Sequence, residues 1–548
     1  MKKIWKVLFS VLLAVVLTEL LSTVKADEEE EIFPNENDVP IDTNSHDWNT
    51  LSYDQERIVS FEEFQYTGYW DEDNYLNIAR RNINTDEIQT VKFADEKLSD
   101  PDNTHLNVVL GISPSDGRLH LSYNMHGSDT INYRYSDADF LTNPPEEIDF
   151  NQFSENTNIL DENSITYPRF FNDQSDNLYL MIRQGGSGSG DQYLYKHSAN
   201  DNSWDSVGKI FSGEGEWKDS TSRNAYLQNL IFDDDDRLHV TWVYREDAYS
   251  HSTNHGLYYA YSDDYGETWK NNNGEMIADV KNDESIQVDD EGIEVINIPQ
   301  NSWVLNQGSM TLDSDGQPHL LMSQSDKITD SVPDTNVVYM HYWRDQSGQW
   351  KKDRIMDTEN TVGTGPNWTE IFNYRGDIAM DLNDNIIVTL PMPDNTLNVA
   401  YSNSSGWEDW YVSTLSNPDE KVTFSGQRYD RNRWENEGVL SIPMTLETEK
   451  GTSYKVRDFQ YASPAHMKKL VQFFIKDEEI DNDVARTLET HLKAVKHFED
   501  IGKEDKLIKH TKSFKSLLKH NRTNNLISDK AYEALKGEAN QLIKQYEK

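Results

Sequence analysis

Between residues 45 and 458, short polar turns are each followed by a run in which apolar and polar residues alternate with period two, the pattern of a half-buried β-strand. The turns read DEDNYLNI at Asp73, SPSDGRLHLSY at Asp116, NDQSDNLYLMI at Asp176, DDDDRLHVTWV at Asp236, DSDGQPHLLM at Asp315 and LNDNIIVTL at Asp384, spaced 43, 60, 60, 79 and 69 residues apart. A weaker unit, WENEGVLSIPM, follows near Gly438. After most turns an aromatic or histidine leads into Ser or Arg and then usually Trp, as in YKHSANDNSW, HYWRDQSGQW and AYSNSSGW. The stretch from Ser262 to Trp269 fits the S-x-D-x-G-x-T-W Asp-box, a hairpin turn locked by its Asp, Gly and Trp. A β unit recurring in this way predicts an all-β fold, a seven-bladed β-propeller over residues 49–458.

The pattern changes near residues 458 to 466. Beyond it the apolar positions follow a helical period: Leu488, Leu492 and Val495, then Leu507, Phe514, Leu517 and Leu518, then Ala534, Ala539 and Ile543. Asp481 and Ser528 suit helix N-caps. Residues 463–548 are expected to form a small helical bundle.

At the other end, Lys2, Lys3 and Lys6 precede an apolar run from Val7 to Leu17, and Val24-Lys25-Ala26 precedes an acidic stretch. Residues 1–26 read as a secretory signal peptide and 27–48 as an acidic linker, which makes the protein secreted and extracellular. The apolar run is shorter than the roughly 20 residues of a spanning helix, so no membrane span is expected. There is no cysteine, hence no disulfide and no cysteine-ligated metal.

Lys and Arg total 51 and Asp and Glu 96, a formal charge of -45. Nucleic acid is excluded as a natural ligand, because its phosphates would be repelled. An acidic polysaccharide remains open to such a protein only if its cations are gathered in one cleft.

Counting about ten positions either way from each turn puts reactive residues at comparable places. The arms carry His105 and His126, then Tyr167 and Arg183, then Tyr226 with Tyr244 and Arg245, then Asn306 and Gln324, then Tyr374 and Arg375. In equivalent hairpins these positions share the rim away from the turns. A rim tyrosine taken alone is more often packing, and a rim arginine more often pairs with an aspartate. The coincidence in three successive units favours a site. It offers no carboxylate pair of the glycosidase kind. It does offer what β-elimination on a uronate needs: a base, an acid for the leaving oxygen, and a cation for the carboxylate. DSDG at 313–316 and the run Asp233 to Asp236 resemble calcium loops without the full ligand spacing, so turn capping is expected there, structural calcium is a bare possibility, and no cofactor is required.

THLNVVLGISPSDGRLHLSYNMH, TYPRF, YLMIRQGGSGSGDQYLY, LHVTWVYRE and NQGSMTLDSDGQPHL resemble the BNR-repeat family that contains the ulvan lyases and rhamnose-glucuronate lyases. The resemblance implies a seven-bladed propeller and a polysaccharide lyase acting on an acidic, uronate-containing polymer. It implies His105, His126, Tyr167 and Arg183 as catalytic, with His126 and Tyr167 both open as the base. Tyr226, Tyr244, Arg245, Asn306 and Arg375 are the expected substrate-binding residues. The family's structural zinc with cysteine ligands cannot be built in this chain. α-L-Rhamnosidases share the propeller, so a glycoside hydrolase is the alternative, and a carbohydrate-binding surface protein a second. The C-terminal residues resemble the FIMAH-type helical domain of secreted enzymes, which implies attachment to wall or substrate. A monomer is expected.

Overall fold

The computed structural model describes residues 36–50, 56–248, 250–326, 336–356, 363–364, 375–381, 383–402, 404, 406–415, 420–424, 428–476 and 478–547. The expected signal peptide lies outside them, as does Tyr374. The chain is mostly β, followed by helices.

The alternating runs form successive antiparallel meanders. The first joins Ile58–Phe61, Phe64–Trp70, Tyr75–Asn82 and Ile88–Lys97. Val108–Ser113, Arg118–Tyr123 and Tyr133–Tyr135 make the second. The third runs through Ile165–Asn172, Leu178–Gly186, Ser189–Ser198 and Ser203–Phe211, and the fourth through Asn224–Phe232, Leu238–Arg245, Asn254–Ser262 and Thr268–Lys270. A parallel bridge between Gly190 and Asn224 links these two. Two more meanders follow, starting at Ser309–Leu312 and Asp377–Met380. The last sheet has the order Lys421–Phe424, Val439–Thr448, Gly451–Gln460 and Glu36–Ser45. The stretch read as an acidic linker thus contains a strand. Its Asp38 forms ion pairs with Lys455 and Arg457, and Val39 is buried.

The first strand of each meander packs on the first strand of the next, from Ile58–Phe61 through Asp377–Met380. The approach is tight: a Cβ on Gly111 would lie 2.7 Å from the Phe170 ring. The last sheet returns to the first through Asp430, whose carboxylate accepts from Ser60 Oγ at 3.1 Å and Gln65 Nε2 at 2.8 Å. The helix Arg431–Glu437, capped by the same carboxylate, packs on Ile58–Phe61.

The polar turns share one geometry. Asp173 Oδ1 accepts from the backbone N–H of Ser175 and Asn177, Asp233 from Asp235 and Arg237, and Asp313 from Asp315 and Gln317. The fourth residue of each turn, Asp176, Asp236 or Gly316, takes positive φ, which a short polar residue or glycine tolerates. Turns of neighbouring meanders touch, with Gln174 N donating to Asp236 and Ser314 to Asp384. They surround a cavity of about 640 Å³ rich in carboxylates at one end of the molecule. In the stretch from Ser262 to Trp269, Asp264 accepts from Thr268 N at 2.8 Å and the buried Trp269 donates Nε1 to Gly266 O at 3.0 Å.

The helices Pro464–Lys476, Asn482–Asp500, Glu504–Thr523 and Asp529–Tyr546 follow directly. Asp481 and Ser528 cap two of them through Asp483 N and Ala531 N. Leu488, Leu492, Val495, Phe514 and Leu518 are buried in a core that continues into Tyr401, Ile442 and Phe459 of the sheets.

Arg457, fully buried, binds Asp38 and Glu420 and so ties the N-terminal strand into the last sheet. Arg457→Met should therefore lower stability by about 1–3 kcal/mol, less than for a wholly buried pair because both carboxylates reach solvent. A urea denaturation series checks this, and an unchanged midpoint would mean the strand is held by its ladder alone.

Candidate active site

Away from the turns, the strand ends bring together His105, His126, Tyr167, Arg183, Tyr226, Arg245, Asn306 and Arg375. Local backbone makes this possible. Thr166 pairs with Arg183, but the next ladder pair is Arg169 with Met181, so Tyr167 and Pro168 form a bulge opposite Ile182. Pro168 has no N–H to give the ladder. Tyr167 takes φ of +55°, a conformation that costs a bulky residue roughly 1–3 kcal/mol and persists only where its surroundings impose it. On its other side Thr166 pairs with His126 and accepts from Gly127 N at 2.8 Å. One residue therefore sets the spacing of the histidine and arginine strands.

The His105 and His126 rings stack in parallel, centroids 4.2 Å apart, and Tyr167 lies 6.2 Å from each. Asn103 orients the pair. Its Oδ1 accepts from His105 N and from His105 Nδ1, which fixes the amide, so its Nδ2 donates to His126 Nδ1 at 3.2 Å. In the neutral rings the lone pair of His105 is then on Nε2, and His126 Nε2 carries its proton. Desolvation in the cleft, then the charges of His126 and Arg183, hold His105 at about 3. Desolvation and Arg183 hold His126 at about 4. Both are neutral at pH 7.

The Arg183 guanidinium lies 5.0 Å from the Tyr167 ring centre and donates to Tyr226 Oη at 3.4 Å. Arg245 donates to the same oxygen at 3.1 Å, to Asn254 Oδ1 at 2.8 Å and to Asn306 Oδ1 at 2.7 Å. Arg375 Nε donates to Asn306 O at 2.5 Å. Arg183 and Arg245 are buried and meet only neutral partners among the described residues; Arg183 Nε, also buried, has no hydrogen-bond partner. The contrast with Arg81, Arg134, Arg223 and Arg457 is sharp, since each of those buried cations meets a carboxylate.

The two tyrosines differ. Burial, then Tyr226, pushes the Tyr167 phenol up to about 12. Burial also raises Tyr226, but Arg245 and Arg183 outweigh it and hold that phenol below the ordinary tyrosine value.

Tyr244 departs from expectation. Strand alternation turns Arg245 and Val243 one way and Tyr244 the other, into a core where it packs edge-on against Tyr258 at 4.8 Å. Gln324, also expected at the rim, is buried and bonded by Tyr342. Sequence reading missed His251, in the turn after Arg245, whose imidazole is held to about 4 by burial, then by Arg245 and Arg375. Its only signal was closeness to Arg245.

For a metal, Asp116, His120 and His197 bring one donor atom each within 4.8 Å of one another. His120 Nε2 and both Asp116 carboxylate oxygens are buried without hydrogen-bond partners, although Arg118 Nε lies 3.2 Å from Asp116. Asn202 Oδ1 faces His197 Nε2 at 3.1 Å, which places the lone pair on Nδ1, 3.4 Å from Ser113 Oγ. This donor set fits a transition ion such as zinc without cysteine. It comes from two meanders, so no local motif announces it.

Residues 64–358 match the model of the BNR repeat-containing family, and residues 464–544 match the FIMAH domain. The chain belongs to the BNR repeat-containing family. Its relatives include an ulvan lyase, long isoform, of Pseudoalteromonas sp. (strain PLSV), 25% identical over 339 residues that make up 54% of this chain and 33% of the relative. An ulvan lyase, short isoform, of Alteromonas sp. (strain LOR) is 25% identical over 277 residues, 41% of this chain and 51% of the relative. The chain thus spans about a third of the long-isoform relative. Among solved structures, polysaccharide lyase Uly1 aligns with a TM-score of 0.59 at 17% identity, over 78% of this BNR-repeat chain and 99% of the other. A PL25 ulvan lyase bound to -[GlcA(1-4)Rha3S]- aligns with a TM-score of 0.57 at 16% identity, over 76% and 95%. These structures share the fold.

A spectrophotometric titration at 295 nm should show a tyrosine ionising below its ordinary value. Tyr226→Phe should remove that step and Arg245→Met should move it upward; loss of the step in Tyr167→Phe alone would reverse the assignment of the two phenols.

Proposed function

We propose that this protein is a secreted polysaccharide lyase that cleaves a uronate-containing, rhamnose-rich polymer by β-elimination, on a seven-bladed propeller whose blades are the meanders described above. The reading is carried by Arg183 and Arg245, buried cations with no acidic partner among the described residues of a chain of charge -45. A buried donor left without a partner is costly. A bound uronate carboxylate supplies one, and bidentate pairing suits its shape. The names of the ulvan lyase relatives agree with this chemistry.

In the proposed step the guanidiniums hold the carboxylate, which makes the adjacent C5–H more acidic and stabilises the enolate-like charge. His105 Nε2, the ring nitrogen opposite the Nδ1 that donates to Asn103, accepts the C5 proton. His126 Nε2–H hydrogen-bonds the developing charge. The C4–O bond breaks as the C4=C5 double bond forms, and Tyr167 gives its proton to the leaving oxygen. A phenol at about 12 is still protonated at neutral pH and so is available as an acid. Groups pushed apart in pKa within one cleft divide into base and acid in this way.

With ulvan or a rhamnose-glucuronate polymer, absorbance near 235 nm from the unsaturated uronate should grow. Free rhamnose or new reducing ends without that absorbance would mean hydrolysis, and binding without any product would mean a carbohydrate-binding protein. Tyr167→Phe should lower kcat by about 10²–10⁴ while polymer binding is largely kept, since only a proton-transfer group is removed.

The pH profile tests the base. Imidazoles held at about 3 and 4 in the free protein lose activity only when protonated, so the acid limb of kcat/KM should fall near or below pH 4. A limb near 6.5 would exclude the desolvated pair.

A further inference from the structure

Asp116, His120 and His197 meet at the turn end of the molecule, where the second meander packs on the third. Asp116 stands in the turn between Val108–Ser113 and Arg118–Tyr123, His120 lies within the latter strand, and His197 comes from Ser189–Ser198. One donor atom of each falls within 4.8 Å of the others, and the two imidazoles meet edge-on with centroids 4.6 Å apart.

Each histidine is held by one nitrogen and offers the other. His120 Nδ1 lies 2.5 Å from Tyr133 Oη, which also accepts from Trp204 Nε1 of the third meander at 3.2 Å. With its proton on Nδ1, His120 presents the lone pair of Nε2, a buried atom with no hydrogen-bond partner among the described residues. His197 gives its Nε2 proton to Asn202 Oδ1 at 3.1 Å, and its Nδ1 lone pair lies 3.4 Å from Ser113 Oγ, longer than a hydroxyl donor normally reaches. Oxygen acceptors on the outer nitrogens are what fixes metal-binding imidazoles in their tautomer. Neither oxygen of Asp116 has a hydrogen-bond partner among the described residues; Arg118 Nε, 3.2 Å from Oδ2, is off axis and orients the carboxylate by charge alone.

Two other meanders show the ordinary surroundings of such a histidine. His239 stands three residues after Asp236 and His319 three after Gly316, as His120 stands three after Gly117, and each of those turn residues has positive φ. In both cases Nε2 faces the aspartate that opens the turn, Asp233 at 3.2 Å and Asp313 at 3.6 Å. In the second meander that opening position is Pro114, and the carboxylate stands at Asp116 instead, unbonded to His120. A buried imidazole nitrogen and a carboxylate side by side without a hydrogen bond are costly unless something lies between them.

Two imidazoles and a carboxylate are zinc ligands, and the donors of a tetrahedral zinc stand about 3.4 Å apart, so side-chain shifts of about 1 Å bring these atoms to that spacing. Zinc has no d-electron preference of geometry and so accepts a donor triangle set by two sheets. The fourth position falls to water, since Asp116 is partly exposed while both histidines are buried. We propose that Asp116, His120 and His197 bind one zinc ion, which pins the second meander to the third at their turn ends. The third meander presents Tyr167 and Arg183 at its other end, so the ion braces the scaffold and takes no part in the elimination. The site is independent of the lyase reading.

For the test, tag-free full-length protein is stripped with a chelator, returned to chelator-free buffer, given zinc chloride and passed through gel filtration. Elemental analysis should find about one zinc per chain, and the melting temperature should rise by about 2 °C or more over the stripped protein. Asp116→Asn and His197→Gln should each retain about a tenth as much zinc or less, with no rise. Asp116→Asn, an isosteric change in a partly exposed turn, should melt with stripped wild type, which separates a lost ion from a lost fold and decides the matter should His197→Gln fail to fold. No retained zinc, zinc kept by either folded variant, or retention without a rise in melting temperature would overturn the site.

Discussion

The site depends on holding Arg183 and Arg245 side by side with no carboxylate partner among the described residues. Arg183 and Arg245 converge on one phenol oxygen, Tyr226 Oη, and Arg375 reaches the backbone of the same Asn306 that binds Arg245. In a chain with nearly twice as many acids as bases, carboxylates are abundant and neutralise buried Arg81, Arg223 and Arg457, whereas Arg80 and Arg169, like the arginines of the cleft, are held by neutral acceptors. Keeping carboxylates out of this cleft preserves the positive potential. The neutral partners Asn254, Asn306 and Tyr226 fix the guanidiniums geometrically without cancelling their charge, which is how an electrostatic site is preorganised for an incoming anion.

The same potential sets the protonation states around it. It adds to desolvation in keeping the two imidazoles neutral, and it opposes desolvation on the tyrosines, winning at Tyr226 but not at Tyr167. The difference between the phenols follows from position. Tyr226 receives hydrogen bonds from both guanidiniums, whereas Tyr167 presents its ring face to Arg183. The bulge at Thr166 to Arg169 produces that pose, and its positive φ is repaid by the ladders that fix Thr166 on either side.

Much of this was legible in the sequence. Turn residues with an aspartate or glycine at a left-handed position recur because each meander needs the same tight reversal, and their spacing located the strands. Counting from the turns found His105, His126, Tyr167, Arg183, Tyr226 and Arg245 because a hairpin returns both arms to one end. The count is blind to which face a side chain takes. Tyr244 neighbours Arg245 in sequence, yet strand alternation sends it into the core. A bulge also shifts register by one, so the arginine pairs with Thr166 while the tyrosine stands clear of the ladder. Asn103 and His251 could not be singled out, because polar residues in connecting segments carry no period, and Asn254 is only the first residue of its strand. The strand Glu36–Ser45 was hidden by its acidic neighbours, and its partner lies some 400 residues away in sequence.

Under the lyase reading, fold and charge together let so acidic a molecule meet an acidic polymer. Carboxylates gather at the turn end, around a cavity lined by Asp173, Asp233 and Asp313, while Arg183 and Arg245 meet only neutral partners among the described residues, at the strand ends away from those turns. An approaching polyanion is repelled by the net charge of the molecule and meets local attraction where Arg183 and Arg245 converge. Under that reading the short-range positive potential selects the carboxylate. Net repulsion and local attraction then act together, and the cleft responds to where a carboxylate is presented rather than to the total charge of the polymer.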